Sequence, residues 1–138
     1  MPFKFEKLEV WQLSVEYVDL IYDIAAKLPK HEDYNLRSQI QRAATSIALN
    51  IAEGSTSQTD PEQARFLGMA IRSLLETIAC LHLIKRRNYL ADPEALRNAY
   101  RHGETLFAKL QSFRHTLVPA DRLREEQAEY SVGEDLSF

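Results

Sequence analysis

Five polar side chains recur through the segment from Ser38 to Gly54 at steps of 3, 4, 4 and 3 residues. These steps place them on one face of a helix. A carboxylate, a guanidinium cation, a hydroxyl and two amides on one face could bind or cleave a polar ligand. They could also form a polar network that fixes helix register or a subunit contact, and we favour this second interpretation. The five residues are Gln39, Arg42, Ser46, Asn50 and Glu53.

The two charged members of this stripe lie eleven residues apart, about 16 Å along a helix axis, so they cannot pair with each other. A buried charge without a partner is costly, so each should find its own. Glu76 or another acid is the expected partner of Arg42. For Glu53 the expected partner is Arg65 or Arg72.

The side chains that could do metal or nucleophilic chemistry are poorly arranged for it. A di-iron bundle needs Glu-x-x-His pairs, and none of the four histidines has a glutamate three residues before it. Cys80 and His82 are two residues apart, which points them to different helix faces, and Cys80 has no evident base. We therefore expect no enzyme activity, no catalytic residue, no metal site and no cofactor. The histidines are His31, His82, His102 and His115.

Basic residues gather around the connection that follows the third predicted helix. With Asn88 and Tyr89 nearby, they could form a patch that binds phosphates, with an aromatic ring available for stacking. The alternative is a solvated helix terminus whose cations match the helix dipole. The candidate nucleic-acid-binding residues are Lys85, Arg86, Arg87, Arg97 and Arg101.

Four helices are predicted to position these groups. The first should run from about Phe5 to Lys27, and it carries two apolar seams that together make a wide apolar face. A wide face indicates either deep burial or a contact with another subunit. One seam is Leu8, Trp11, Val15, Val18, Tyr22 and Ala25. The other contains the candidate oligomer-interface residues Leu13, Tyr17, Leu20 and Ile24.

The other three helices are bounded by recognisable start and stop residues. Helix 2 should begin near Asn35 or Leu36 and end before Gly54, which would adopt a left-handed conformation. Asp60 and Asp92 each precede a proline and should cap helices 3 and 4. Short connections require antiparallel neighbours. The sequence therefore predicts an all-α fold, an antiparallel up-down-up-down four-helix bundle over residues 1–118.

Residues 119–138 are predicted to be an acidic C-terminal tail. This segment holds two arginines against six acids, a net charge of −4, while the preceding residues carry +1. Bulk charge therefore gives no preference for nucleic acid. The single cysteine favours a reducing compartment, and neither a signal peptide nor an uninterrupted apolar stretch of about 18 residues is present. We expect a cytoplasmic protein with no membrane partner.

Three segments resemble the four-helix-bundle family of bacterial intervening-sequence proteins, which are encoded within large-subunit ribosomal RNA genes and elsewhere. They are "FEKLEVWQ", "PKHEDYNLRSQIQRAATSIALNIAEG" and "AIRSLLE", within residues 3–90. The resemblance adds Ser73 and Glu76 to the polar network. The family motif falls on Trp11, Pro29, Glu32, Leu36, Gln39, Arg42, Ser46, Asn50, Glu53, Gly54, Ser73 and Glu76.

The resemblance implies a homo-oligomer, expected to be a pentamer, with no established enzymatic activity. A distant relative is the accessory protein of diversity-generating retroelements, which binds nucleic acid through a basic pentameric surface. By that analogy, this chain is expected to be a nucleic-acid-binding or ribonucleoprotein accessory factor acting on RNA or DNA. The alternative is a scaffold that assembles through helix 1, binds a protein partner and does not bind nucleic acid.

Overall fold

The computed structural model describes residues 3–119, which contain four α-helices and no strand. A short 3₁₀ helix, Lys4–Lys7, precedes the first α-helix, and a second, Lys30–Glu32, lies in the first connection. The α-helices are α1 (Glu9–Ala26), α2 (Leu36–Gly54), α3 (Asp60–Arg86) and α4 (Glu94–His115). The predicted all-α bundle is confirmed. The expected acidic tail lies outside the described residues.

Each helix packs against its two neighbours, α1 and α3 both contacting α2 and α4. The short connections make neighbouring helices antiparallel, so the bundle has two distinct ends. One end contains the C-termini of α1 and α3 together with the N-termini of α2 and α4. The largest side chains of the core are fully buried, among them Ile21, Ile47, Leu74 and Leu106.

The inward face of α1 differs from both seams seen in the sequence. Its buried line advances in steps of 4, 3, 4 and 3 and runs through Val10, Ser14, Tyr17, Ile21 and Ile24. A search for apolar spacing overlooks this line because Ser14 interrupts it. The Ser14 hydroxyl is satisfied inside the helix, donating to the Trp11 carbonyl at 2.7 Å.

Two of the four residues assigned to the oligomer interface were therefore wrongly assigned. Tyr17 is 0% exposed and Ile24 is 1% exposed, so both belong to the core of the single chain. The Tyr17 hydroxyl lies 2.7 Å from Thr77 Oγ1. Thr77 already donates its own proton to the Leu74 carbonyl, so Tyr17 is the donor of the shared bond. Leu13 and Leu20 are half-buried at the edge of the core.

Several helix ends also differ from the sequence prediction. Helix 1 starts at Glu9 instead of Phe5, and the Phe5 ring packs edge-on against Trp11 at 4.6 Å between centroids. Thr59, not Asp60, caps α3, its hydroxyl accepting from the Glu62 amide at 3.3 Å. The Asp92 carboxylate does accept from the Glu94 amide, at 2.9 Å.

Gly54 does not take the left-handed conformation that the sequence suggested. It is the last residue of α2, and no glycine among residues 3–119 has a positive φ. A Cβ added there would lie 2.8 Å from the Phe66 Cβ, so glycine is required because α3 approaches closely. Asn88 (φ 56°) is the residue that takes the left-handed conformation, directly after α3. Its amide donates to Lys85 and that of Tyr89 to Ile84, which closes the helix.

Helix α3 is long and apolar enough to cross a membrane by length and composition alone. Such a test is also passed by the core helix of a bundle, and α3 buries side chains such as Leu67, Ile71 and Leu81 inside this one. The absence of a membrane partner stays a prediction.

Candidate functional site

Two residues of the polar stripe, Ser46 and Asn50, are hydrogen-bonded together with Ser73 of α3. Ser73 on α3 donates to the Ser46 hydroxyl on α2 at 3.0 Å. Asn50, one turn further along α2, donates to the Ser46 hydroxyl at 3.0 Å and to its carbonyl at 2.9 Å. All three side chains are half-buried. The Ser46–Ser73 hydrogen bond joins α2 to α3 at this point.

The other members of the stripe are exposed on the outer surface. Gln39 bonds to Asn35 on its own helix at 2.9 Å. In residues 3–119, no ion pair or hydrogen bond involves the side chain of Arg42, Glu53 or Glu76. The ion pairs expected from the sequence are therefore wrong for the single chain. These charges keep their hydration because they lie at the surface, so they need no partner.

Two exposed apolar side chains stand beside Arg42 and Glu53. Tyr22 on α1 is 44% exposed and Leu49 on α2 is 53% exposed. The Tyr22 and Thr45 hydroxyls lie 3.1 Å apart, which joins the two helices at this surface. This surface contains a groove of about 390 Å³, which is lined by Tyr22 of α1 and by residues of α2. We call this surface the α1–α2 face, comprising Tyr22, Arg42, Thr45, Leu49 and Glu53.

The antiparallel fold brings all five candidate cations to one end of the bundle. Residues 27–37 and 85–101 form this basic end, which holds eight Lys and Arg against four Asp and Glu, a net charge of +4. Since residues 1–118 carry only +1 in total, the rest of that range carries −3. The fold thus separates charge that is nearly balanced along the sequence.

The five cations are not equally available. Glu94 lies 3.3 Å from Arg97 and 3.8 Å from Arg101, so it partly neutralises that pair. Arg86 and Arg87 are exposed, and no carboxylate of the described chain pairs with either. Lys85 is exposed as well. Arg86 and Arg87 are therefore exposed cations that no carboxylate of residues 3–119 neutralises.

A buried carboxylate ties the α1–α2 connection to the α3–α4 connection. Glu32 is 7% exposed, and its carboxylate accepts from the Tyr89 hydroxyl at 2.7 Å and from Asn35 at 2.9 Å. The Tyr89 oxygen also lies 3.1 Å from His31 Nε2. The Tyr89 hydrogen bond, more than any other contact, lowers the pKa of Glu32 below its usual value. The same bond raises the pKa of Tyr89.

The Glu32–Tyr89 hydrogen bond occupies the aromatic ring that the sequence offered for stacking. Tyr89, which the sequence offered, is half-buried and bound to Glu32 and His31. Tyr34, in the connection between α1 and α2, is 98% exposed. Sequence reasoning overlooked it because nothing local marks a ring as exposed. The only signal was an aromatic residue in the charged connection "PKHEDYN".

The described part of the chain offers no metal or nucleophile site. Among residues 3–119, no three His, Cys, Asp or Glu side chains are grouped so that they could hold a metal ion. Cys80 is buried, and burial raises the pKa of its thiol to about 11, with a smaller contribution from Glu76. A thiol with that pKa is protonated at neutral pH, so it is a weak nucleophile.

Comparison with known proteins gave two findings. The family model described as 23S rRNA-intervening sequence protein matches residues 6–112. Among solved structures, the chain is similar to a crystal structure of a protein of unknown function from the S23 ribosomal protein family of Bacteroides thetaiotaomicron VPI-5482. That match has a TM-score of 0.70 and 24% identity, and it covers 76% of this chain and 97% of the other. It shows the fold alone. The comparison with curated proteins gave no match.

Proposed function

Because the chain belongs to the family of 23S rRNA-intervening sequence proteins, we propose that it is a non-enzymatic, homo-oligomeric protein that binds nucleic acid at its basic end. The observation that carries the proposal is the separation of charge, +4 at this end against −3 over the rest of residues 1–118. Nucleic-acid affinity comes mainly from cations that replace counterions along the phosphate backbone. Bulk charge conceals this surface, since the whole chain is acidic.

Assembly would make this modest surface stronger. Each subunit offers two exposed arginines, Arg86 and Arg87, that have no ion pair within residues 3–119. A ring of subunits would repeat them along one nucleic-acid strand. Linked sites bind more tightly than one site alone because the later contacts become intramolecular. The expected number of five subunits comes from the family resemblance, and the cytoplasmic location from the composition.

The α1–α2 face is the proposed contact between subunits. It combines exposed Tyr22 and Leu49 with one unpaired cation, Arg42, and one unpaired anion, Glu53. Aromatic and apolar groups with a polar rim are typical of protein interfaces. In a ring each contact joins two different surfaces, so Arg42 and Glu53 would each pair with an opposite charge on another surface of the neighbouring subunit.

Binding to nucleic acid is tested by gel shift and fluorescence anisotropy of the full chain with structured RNA and with DNA at two salt concentrations. Arg86→Gln combined with Arg87→Gln should weaken binding and lower the salt slope by about one to two. The control combines Arg65→Gln with Arg72→Gln, two exposed arginines of α3 outside the basic end. It removes the same charge, and it should change affinity much less.

Two results would overturn the proposal: no shift of any probe at low salt, or equal losses in the two double variants. If no probe shifts, the second candidate stands, a protein-interaction scaffold that does not bind nucleic acid. Equal losses would instead show that nucleic acid is not bound preferentially at the basic end. The scaffold candidate is favoured by the same exposed Tyr22 and Leu49, which could hold a protein partner as well as a second copy.

A further inference from the structure

Tyr34 is the most exposed large hydrophobic residue in the described chain, at 98%. A tyrosine ring left in water forfeits the stabilisation that its burial would bring. Scattered exposed apolar residues are ordinary on a protein surface. Tyr34 differs from such residues in two ways: hydrogen bonds fix its backbone, and it lies at the basic end.

The backbone on both sides of Tyr34 is fixed. The Asp33 amide donates to Lys30 and the Asn35 amide to Glu32, at 3.0 and 3.1 Å. Glu32 also holds the Asn35 side chain. The ring therefore projects from a rigid turn, so a ligand that contacts it does not have to order the chain first.

The acids next to Tyr34 are already engaged. Asp33 accepts from Arg37 Nε at 2.8 Å, and Arg37 also donates to the carbonyls of Ala25 and Leu28 at the end of α1. Glu32 is occupied by Tyr89 and Asn35. Arg37 thus neutralises Asp33, the acid directly before the ring. Glu32 keeps its negative charge because its donors are neutral, but its carboxylate is buried.

The Glu32–Tyr89 hydrogen bond joins the connection that carries Tyr34 to the connection that follows Arg86 and Arg87. Tyr34 is two residues from Glu32, and Arg87 is two residues from Tyr89. Two residues of chain span at most about 7 Å. The ring and the guanidinium groups therefore belong to the same end of the bundle and are linked through the Glu32 and Tyr89 side chains.

We propose that Tyr34 stacks on an unpaired base of a single-stranded nucleic acid whose phosphates are bound by Arg86 and Arg87. An exposed ring beside a cationic groove is how proteins bind single strands without reading their sequence. In a duplex the base faces are already stacked on one another, so the ring would have no partner. This inference rests on the proposed function and narrows it to single strands, loops and unpaired ends.

The experiment measures the affinity of the full chain for a short labelled single-stranded RNA without self-complementarity and for the duplex of the same strand. Tyr34→Ala should weaken single-strand binding about tenfold and leave duplex binding within about twofold, whereas Tyr34→Phe should bind like the unchanged protein. The salt slope should stay the same in both variants, because the ring carries no charge.

Phe3→Ala is the matched control. Phe3 is also an exposed aromatic, at 72%, but it precedes α1 and so lies toward the opposite end of the bundle. The Phe3→Ala variant should bind both probes like the unchanged protein. Circular-dichroism melting and light scattering confirm that each variant keeps its fold and its oligomeric state.

The outcomes separate the two proposals. If the unchanged protein binds neither probe, the proposed function and this inference fail together. If it binds both probes and Tyr34→Ala is silent, or weakens both equally, the basic end binds nucleic acid but the stacking inference is overturned. A change of oligomeric state in Tyr34→Ala would make Tyr34 a protein contact and would overturn it as well.

Discussion

Whether a single side chain of this protein is buried or available for binding depends on partners far away in the sequence. Tyr17 lies in an apolar seam that could have faced another subunit, yet its hydroxyl finds Thr77, sixty residues later, inside the core. Tyr89 looked free to stack, yet it is held by Glu32, fifty-seven residues earlier. Buried polar groups must be hydrogen-bonded, so the location of the partner determines which side chains remain available for binding.

Glu32 should make the stability of the protein depend on pH. Its pKa is lowered in the folded state, chiefly by the Tyr89 hydrogen bond. Its stabilisation is therefore fully present above the ordinary glutamate value of 4.5, and it is lost as the pH falls through the lower folded value. Glu32→Gln should lower the melting temperature at pH 7, and the difference from the unchanged protein should shrink in acid.

The control is Glu104→Gln, which alters an exposed carboxylate of α4 that has no ion pair within residues 3–119. It should leave the melting temperature unchanged from neutral pH into acid. A Glu32→Gln difference that is constant down to low pH would show that the carboxylate charge does not stabilise the link between the two connections.

At the scale of the helices, the distance to the facing atoms of the neighbouring helix sets what each glycine can tolerate. Gly54 faces the Phe66 Cβ, an atom next to the backbone that cannot swing away. Gly68 lies in the middle of α3, where an added Cβ would meet the Arg114 guanidinium at ordinary contact distances of 3.6 to 3.7 Å. The same residue type is thus required in one helix and replaceable in the next.

Gly54→Ala should lower the free energy of unfolding by about 1–3 kcal/mol, because overpacking forces the helices apart. Gly68→Ala should raise it by about 0.5–1 kcal/mol, because alanine favours the helix and the space exists. Urea unfolding measures both, and each variant is the control for the other. Equal destabilisation by both would contradict the packing described for Gly68.

At the scale of the whole molecule, the bundle exposes apolar side chains on the α1–α2 face and gathers positive charge at the basic end. The α1–α2 face keeps Tyr22 and Leu49 exposed beside unpaired Arg42 and Glu53. Self-assembly would cover the apolar groups and pair the charges. It would leave the basic end, at the tips of the helices, open to a ligand.

Leu49→Glu should shift the protein toward the monomer while preserving helix content, as measured by light scattering and circular dichroism. The variant would bury an unpaired acid in each subunit contact. Leu83→Glu is the control, since Leu83 is a comparably exposed leucine, 49%, on α3. If Leu83→Glu dissociates the assembly and Leu49→Glu does not, the α1–α2 face is not the contact.

The sequence by itself determined the four helices and the bundle, and it placed Ser46 and Ser73 in one polar network without saying which residues meet. These follow from apolar periodicity, connection length and the family motif, all of which can be read without knowing which segments meet. Helix ends were less predictable, because Thr59 and Asp60, or Gly54 and its neighbours, carry nearly equivalent local signals.

Only the tertiary structure decided which face of α1 is buried and which groups at the basic end stay free. Trp11, Val15 and Tyr22 are as apolar in sequence as the buried line of Tyr17 and Ile24. The choice between them depends on the shape of the space that the other helices leave. Likewise, a hydrogen bond between two connections holds Tyr89, whereas Tyr34 stays exposed. Such contacts join residues distant in sequence, and local spacing carries no record of them.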